Sequence, residues 1–148
     1  MKFNKFETRM FHQAHIEAEK SDYNRFKVGC VVTYKHTVIG RGCNAKKSHP
    51  LQKEYNRKYR KFNNEKGQCI IDSVHAEISA LTSIPYTTGI EIDWSKVKVF
   101  VYRICPGKKR GYGNAKPCAA CMNAIRDLGI KNVYYSDENG FNYLYLED

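Results

Sequence analysis

The sequence predicts a single α/β domain of three layers, and three observations point to this class. The chain has 148 residues, which suffices for one hydrophobic core but not for two. Segments with apolar residues at helical spacing alternate with short runs of β-branched residues. Toward the C-terminus, a strand–helix–strand step implies two parallel strands joined by a right-handed crossover. We therefore expect residues 1–148 to form one domain.

The first predicted elements are a helix and a β-hairpin. Residues 3–20 are expected to be helical because apolar residues recur at spacings of three and four, namely Phe3, Phe6, Met10, Phe11, Ala14 and Ala18. The turn-like segment Ser21–Asn24 ends this helix. Residues 27–34 and 37–43 are rich in β-branched residues, which predicts two strands of a hairpin.

A polar, basic insertion over about residues 45–70 contains a further short helix. Its apolar residues fall on one stripe, which is more often a buried face than a binding surface: Leu51, Tyr55, Tyr59 and Phe62. Pro50 suits the first helical turn and Ser48 could cap it. The opposite face would present basic side chains, those of Lys53, Arg57, Arg60 and Lys61.

Helices and strands alternate in the second half of the chain. Asp72 or Ser73 is a candidate N-cap for the next helix, and Pro85 marks the end of that segment. The remaining predicted elements are a strand over 97–104, a Gly- and Lys-rich loop over 105–116, a helix over 118–128 stopped by Gly129, a strand over 130–136, a turn over 137–140 and a last strand from Phe141. That turn predicts an antiparallel edge strand.

Two short motifs carry the chemistry of the chain. They are His75-Ala76-Glu77 and Pro117-Cys118-Ala119-Ala120-Cys121, with Cys118 placed 43 residues after His75. One imidazole and two thiolates make three ligands for one zinc ion per chain, and a hydrolytic zinc site leaves its fourth position to water. Both motifs begin predicted helices, whose N-terminal amides help to keep thiolates deprotonated. Glu77 is then free to act as a general acid and base.

Other interpretations of these motifs stay open. Cys69 or Cys105 as a fourth ligand would make a closed structural site, but that site would leave Glu77 without a purpose. A redox C-x-x-C pair would make His75 coincidental. Unpaired cysteines such as Cys30 and Cys43 are more often small buried hydrophobes. The other histidines are expected at the surface or as capping residues: His12, His15, His36 and His49.

The net charge of +10 is concentrated in two basic segments. Residues 46–66 carry eight Lys/Arg and two Glu, a net of +6, and residues 105–116 carry four Lys/Arg and no acid, a net of +4. This distribution favours an anionic ligand, because it steers phosphates toward one face. The alternative is a solvated surface that serves solubility.

The sequence predicts neither a membrane span nor a secretory signal. Apolar runs such as residues 97–104 carry charges and are too short to cross a bilayer, and residues 1–9 contain no apolar h-region. A cytoplasmic location is therefore expected, where a C-x-x-C pair more often binds a metal or serves redox chemistry than forms a structural disulfide.

On its two motifs the chain resembles the zinc-dependent cytidine/deoxycytidylate deaminase superfamily, whose signature is H-x-E…P-C-x-x-C. Residues 23–30 are similar to the family's segment before its first strand, and Gly42-Cys43-Asn44 to its substrate-facing turn. The resemblance covers most of residues 21–146. It implies a three-layer α/β/α cytidine-deaminase-like fold with a mixed five-stranded sheet and an antiparallel C-terminal hairpin.

The resemblance also implies roles for single residues. Zinc would be held by His75, Cys118 and Cys121, with Glu77 as the proton shuttle. The amide of Ala76 would meet the pyrimidine, Phe26 would line the pocket and Asn44 would contact the ribose, with Pro117 a further candidate contact. From residue types alone, a core phenylalanine and a turn asparagine explain those two positions equally well.

Two features depart from the family pattern. Lys116 precedes Pro117 where the family more often has Ser, Thr or Glu, which puts contacts to the exocyclic amine in doubt. The chain ends soon after Gly140, which leaves little room for the extra helix and fifth parallel strand of the tRNA-adenosine, deoxycytidylate and polynucleotide-editing branches. A C-terminal hairpin instead resembles free cytidine deaminases, blasticidin deaminases and bacterial deaminase toxins. Residues 124–136 look like uncharacterised bacterial and phage members.

Three functions follow as hypotheses. The first is hydrolytic deamination of cytosine in a nucleoside or nucleotide, with the basic loops holding a phosphate. The second is a cytosine deaminase that acts on single-stranded DNA or RNA, with basic and aromatic side chains tracking the strand. The third is a catalytically silent zinc module that binds nucleic acid. Adenine, guanine and pterin-type substrates are more distant alternatives. An exposed last strand and the habits of the superfamily favour a homo-oligomer.

Overall fold

The computed structural model describes residues 2–23, 26–59, 73–85, 91–104 and 112–147. Helix α1 spans Lys5–Glu19, which confirms the first predicted helix. Its start is fixed by a capping box: the Asn4 side chain accepts a hydrogen bond from the Glu7 N–H at 2.8 Å, and the Glu7 carboxylate accepts one from the Asn4 N–H at 2.9 Å. The apolar stripe of α1 is buried against the sheet.

The sheet is mixed and has five strands along its main path. The strands are β1 (Lys27–Tyr34), β2 (Thr37–Cys43), β3 (Lys98–Ile104), β4 (Tyr112–Gly113), β5 (Asn132–Asp137) and β6 (Gly140–Tyr145). Their order is β2-β1-β3-β5-β6, and the two-residue β4 pairs with the end of β3. Strands β3 and β5 are parallel, and the other pairs are antiparallel. The predicted hairpins and parallel step are confirmed.

The sequence predicted a loop over 105–116, and this was wrong for Tyr112 and Gly113. They form β4, which pairs with β3 through Arg103 and Ile104. Ser136 supports this pairing, because its hydroxyl donates to the Gly113 carbonyl at 2.8 Å and accepts from the Arg103 N–H at 3.1 Å. Residues 105–111 lie outside the described part of the chain.

Three further helices cover the other face of the sheet: α2 (Pro50–Tyr59), α3 (Ala76–Thr82) and α4 (Ala119–Asp127). Side chains along β1 alternate between the two sides. Val31 packs with α1, whereas Cys30 and Val32 pack with the cluster that includes α3 and α4. Both faces are therefore buried, which gives the three predicted layers. A turn of 3₁₀ helix at Trp94–Lys96 leads into β3.

Helix α2 differs from its predicted orientation. Its deepest residues are two amides, Gln52 at 0% and Asn56 at 1% exposure, whereas Tyr59 of the predicted buried stripe is 41% exposed. The expectation that this stripe is a buried face holds for Leu51 and Tyr55, which pack against the core, but not for Tyr59. Phe62, Arg60 and Lys61 lie outside the described residues. The two amides can be buried because they have hydrogen-bond partners inside the protein.

Two cap predictions were also wrong. Ser48 and Ser73 pair with each other in an isolated antiparallel bridge, and neither stands at the N-cap position of the helix that follows it. The His49 imidazole instead accepts from the Leu51 N–H at 3.1 Å at the start of α2, and His75 occupies the N-cap position of α3. Asp72 lies outside the described residues.

No helix in the described part of the chain combines the length and apolar character that a membrane crossing requires. Strand β6 ends the main strand path, as predicted, and Tyr145 on it is 54% exposed.

Candidate active site

Two residues placed just before helices bring the motifs together. His75 (φ −84°, ψ 158°) and Cys118 (φ −68°, ψ 172°) are the extended N-cap residues of α3 and α4, and neither side chain makes a capping hydrogen bond. Cys121 lies one turn into α4, on the same side as Cys118 because of the helical repeat.

The three predicted ligands are positioned to hold a zinc ion. His75 Nδ1 lies 3.5 Å from Cys118 Sγ and 3.3 Å from Cys121 Sγ, and the ligand atoms of the three residues all lie within 4.8 Å of one another. Tetrahedral zinc, with Zn–S of about 2.3 Å and Zn–N of about 2.0 Å, places adjacent ligand atoms roughly 3.5 Å apart. One nitrogen and two sulfurs are also a donor set that zinc prefers.

No other Cys, His, Asp or Glu joins this group within the described ranges. Glu77 is therefore not a member of the ligand group there. Cys69 and Cys105, the candidate fourth ligands of a closed site, lie outside the described residues. Cys30 is buried and Cys43 is half-buried, and neither belongs to the group.

The two cysteines shift each other's pKa in opposite directions. A hydrogen bond from the Cys121 thiol, aided by the His75 imidazole, lowers the pKa of Cys118 to about 3 against the opposing effect of burial. The same hydrogen bond, together with burial, raises the pKa of Cys121. One thiolate is thus already favoured in the protein, and metal binding requires the release of the second proton.

Glu77 lies in the first turn of α3 and is only 5% exposed. Burial raises the pKa of its carboxyl, whereas the nearby His75 imidazole acts in the opposite direction. The carboxyl also shares a hydrogen bond with the Cys121 thiol. A buried carboxyl in contact with the metal ligands can hold or release a proton close to where a zinc-activated water would lie.

Helix α2 supports the histidine from behind, which the sequence did not predict. The Gln52 side-chain carbonyl accepts from the His75 N–H at 3.0 Å, and its amide donates to Asn56 Oδ1 at 2.9 Å. The signal was present, since two uncharged amides at i and i+4 stand out in a helix full of charges. Nothing in the sequence pointed to their partner 23 residues away.

A cavity of about 160 Å³ opens beside these residues. This is smaller than the roughly 300–1,000 Å³ of sites for drug-sized ligands, so it suits one small planar group. The described residues that line it are Tyr23, Phe26, Val28, Asn44, Ser73, Val74, His75, Ala76, Glu77, Arg103, Asn114, Ala115, Lys116 and Cys118.

Of the four predicted substrate contacts, three line this cavity and Pro117 does not; the three are Phe26, Asn44 and Ala76. Ala76 opens α3, where backbone amides have no acceptor inside the helix. The Asn44 side chain holds the start of β1, accepting from the Val28 N–H at 2.9 Å and donating to the Phe26 carbonyl at 3.1 Å. Pro117 is buried but is not one of the described lining residues.

Arg103 is a cavity residue that the sequence reading missed. Its guanidinium carbon lies 4.7 Å from the centroid of the Phe26 ring, so the cation covers part of the proposed stacking face. The available signal was that Arg103 is one of two charged residues, with Lys98, inside the otherwise apolar run 97–104.

The basic segments are described in part. On α2, Lys53 and Arg57 are exposed, as predicted for its outer face. Lys58 is also exposed and pairs with Glu54 at 3.3 Å. Lys116 lines the cavity. The remaining basic residues of 60–66 and 105–111 lie outside the described ranges.

The sequence matches the family model described as the cytidine and deoxycytidylate deaminase zinc-binding region over residues 4–137. A search of curated protein sequences gives no significant match. Among solved structures, the chain is similar to a dCMP deaminase from cyanophage S-TIM5 crystallised with dCMP and dUMP, at 20% identity and a TM-score of 0.59, covering 93% of this chain and 85% of that one. It is also similar to a cytidine deaminase from Burkholderia pseudomallei, at 19% identity and a TM-score of 0.59, covering 93% and 91%.

Proposed function

This chain belongs to the cytidine and deoxycytidylate deaminase family with a zinc-binding region, and we propose that it converts cytosine to uracil in a (deoxy)cytidine nucleoside or nucleotide by hydrolysis, releasing ammonia. The observation that carries the proposal is the placement of Glu77. Its buried carboxyl shares a hydrogen bond with Cys121 of the ligand group, and Glu77 lines one small cavity together with His75 and Cys118. A purely structural zinc site has no need for a buried acid at that position.

Each residue then has a defined task in the reaction. A zinc ion held by the three ligands would lower the pKa of a bound water to about 7, so that hydroxide would be available at neutral pH. Glu77 would take one proton from the attacking water and deliver it to the ring nitrogen. It would then take the second proton, from the hydroxyl newly bonded to the ring carbon, and pass it to the amine, which leaves as ammonia while that carbon becomes a carbonyl. Such proton transfer by a positioned side chain contributes about 10²–10⁴-fold in rate.

The cavity supports a pyrimidine as the group that enters. Its lining is mostly apolar near Val28 and Ala76, with the Phe26 ring on one wall and the Asn44 amide beside it. One Nδ2 hydrogen of Asn44 is used on the Phe26 carbonyl, which leaves the amide a second donor for a sugar hydroxyl. The cyanophage enzyme of the same fold was crystallised with cytosine and uracil nucleotides, which favours the same class of ligand here.

The direct test is to incubate the zinc-loaded protein with cytidine, deoxycytidine, their monophosphates and a cytosine-bearing single strand, and to measure ammonia and base mass. We expect uracil from at least one of the free compounds. Glu77→Gln should retain zinc and lose about 10²–10⁴-fold in rate. Glu54→Gln, a change of the same type at an exposed position, should leave the rate unchanged. Hydrolysis that survives in Glu77→Gln would overturn the mechanism.

A deaminase that acts on single strands is the second candidate. The exposed basic face of α2 and the exposed Tyr59 favour it, because strand binding combines phosphate neutralisation with base stacking. A silent zinc module would bind nucleic acid without releasing ammonia from any compound in the panel. The cytoplasmic location and the homo-oligomer stay predictions.

A further inference from the structure

Arg103 is mounted rigidly in the wall of the active-site cavity. It lies near the end of β3, where it is paired with Val28 of β1 on one side and Gly113 of β4 on the other. Its backbone N–H donates to the hydroxyl of Ser136, a residue with 0% exposure. The position from which this side chain enters the cavity is therefore fixed by the sheet itself.

The guanidinium of Arg103 contacts an aromatic ring, and no counter-charge for it lies among the described residues. Its carbon lies 4.7 Å from the Phe26 ring centroid, and its Nε is buried with no hydrogen-bond partner within the same part of the chain. None of the ion pairs found there involves Arg103. Because a buried polar atom without a partner is costly, this half-buried arginine at the cavity wall is suited to an anionic ligand.

The rest of the described lining fits the same conclusion. Lys116 is a second cation of this cavity, held by the bond of its N–H to Asn114 Oδ1 at 2.9 Å. Glu77 is the one carboxylate among the described lining residues, and it is engaged with the metal ligands. Two cationic residues, Arg103 and Lys116, thus line the cavity in which the substrate would bind.

We propose that Arg103, stacked on Phe26, binds the phosphate of the substrate nucleotide and makes this protein selective for a cytosine nucleotide over the free nucleoside. This inference rests on the proposed function, in which the ligand is a cytosine nucleoside or nucleotide. The planar guanidinium presents a fork of N–H donors that matches two phosphate oxygens. Phe26 in turn holds the guanidinium plane, so its part is to position the arginine.

The test compares deoxycytidine with deoxycytidine 5′-monophosphate in the wild type, Arg103→Met and Arg103→Lys. We expect Arg103→Met to lower kcat/KM for the monophosphate about 10–100-fold, from the loss of a charge-assisted pair. The loss should appear in KM, because phosphate binding is the same in ground and transition states. The loss for deoxycytidine should be much smaller, because that substrate has no phosphate for Arg103 to bind. Arg103→Lys should fall between the two, since it keeps the charge but not the fork.

Arg126→Met is the matched control, because Arg126 is exposed on α4 and away from the cavity lining. Equal losses on both substrates in Arg103→Met would overturn the inference, since Arg103 would then contact the base or sugar.

A single-stranded oligonucleotide as a third substrate separates a free nucleotide phosphate from a strand phosphate. A loss that Arg103→Met shows on the strand but not on the monophosphate would overturn selectivity for the free nucleotide.

Binding to the Glu77→Gln protein provides a second measurement that needs no turnover. Calorimetry should show the monophosphate binding more tightly than deoxycytidine, and Arg103→Lys in that background should reduce the difference. If wild type releases no ammonia while this difference is present, the proposed function fails and the phosphate site stands. If ammonia is released and the difference is absent, the phosphate site fails and the deaminase stands.

Discussion

The side-chain carbonyl of Gln52 accepts a hydrogen bond from the backbone N–H of His75 at 3.0 Å. This bond holds the residue that begins α3 and carries the imidazole ligand. Gln52 is 0% exposed and its amide donates to Asn56, which is 1% exposed. A helix from the basic insertion therefore fixes the histidine of the metal centre through two buried amides.

Replacing Gln52 by Leu should weaken both zinc binding and folding. An unpaired His75 N–H in the interior costs about 1–3 kcal/mol, and loss of a residue that orients a metal ligand typically reduces affinity 10–100-fold. Chelator competition measures zinc affinity, and denaturant unfolding measures stability. Lys53→Leu, next to it on the exposed face of α2, is the control and should change neither. Loss of stability with zinc affinity intact would reduce Gln52 to a purely structural role.

Removing zinc should lower thermal stability by a predictable amount. A ligand that binds only the folded protein adds RT ln(1 + [L]/Kd), about 4 kcal/mol at a thousandfold excess over Kd. For a chain of this length that is roughly 8–16 °C in Tm. Magnesium should not replace zinc, because it prefers oxygen ligands. In Cys121→Ser the zinc-dependent increase should largely vanish, whereas Cys43→Ser should retain it. A zinc-dependent increase that persists undiminished in Cys121→Ser would show that zinc binds elsewhere.

Most of the fold could be read from the sequence because its signals are local. The spacing of apolar residues predicted α1, runs of β-branched residues predicted β1 and β2, and the signature residues predicted the ligand group. The inward turn of Gln52 and the cavity position of Arg103 could not be predicted, because each depends on a partner that tertiary packing supplies. From the sequence pattern, an amide side chain on a helix is expected to face solvent. Only the structure shows that the His75 N–H lies opposite Gln52.

Gly42 of β2 is required because α3 packs directly against it. A Cβ at this position would lie 2.5 Å from the Ala80 backbone nitrogen and 2.6 Å from Ser79 Oγ. Gly→Ala at an unconstrained site stabilises by about 0.4–1 kcal/mol. Here overpacking of about 1–3 kcal/mol should win, and displacement of α3 should lower zinc affinity as well. Thr37→Ala, exposed on the same strand, is the control, and a stabilised Gly42→Ala protein would contradict this packing argument.

Tyr55 links α2 to α4 through a hydrogen bond to Asp127 Oδ2 at 2.6 Å. Burial, with the Asp127 carboxylate, raises the pKa of Tyr55 to about 12. A folded-state pKa above the usual value of about 10 means that the stabilisation is complete below pH 10. It is lost as the pH rises from about 10 to about 12. We expect Tyr55→Phe to cost about 1 kcal/mol at neutral pH, as measured by denaturant unfolding.

A difference titration of tyrosine absorbance checks the same bond. Burial also raises the pKa of Tyr134 and Tyr143, so the wild type should contain one more late-titrating tyrosine than Tyr55→Phe. Tyr59→Phe is the matched control, because its ring stacks on Tyr55 at 5.8 Å but is 41% exposed. If the two variants gave identical titrations, the Tyr55–Asp127 bond would not persist in solution.

Salt dependence separates a nucleotide substrate from a strand. Binding that neutralises Z phosphates of a single strand gives a slope of about −0.7Z in log affinity against log salt. One phosphate at Arg103 predicts a slope shallower than about −1 for oligonucleotide binding. Changing Lys53, Arg57 and Lys58 to Ala together should then leave the slope unaltered, because the exposed face of α2 would not touch the ligand. If that face does track a strand, three lost contacts reduce the slope by about 2. Filter binding across a salt series decides between the two, and a steep slope that these three changes flatten would favour the single-strand deaminase.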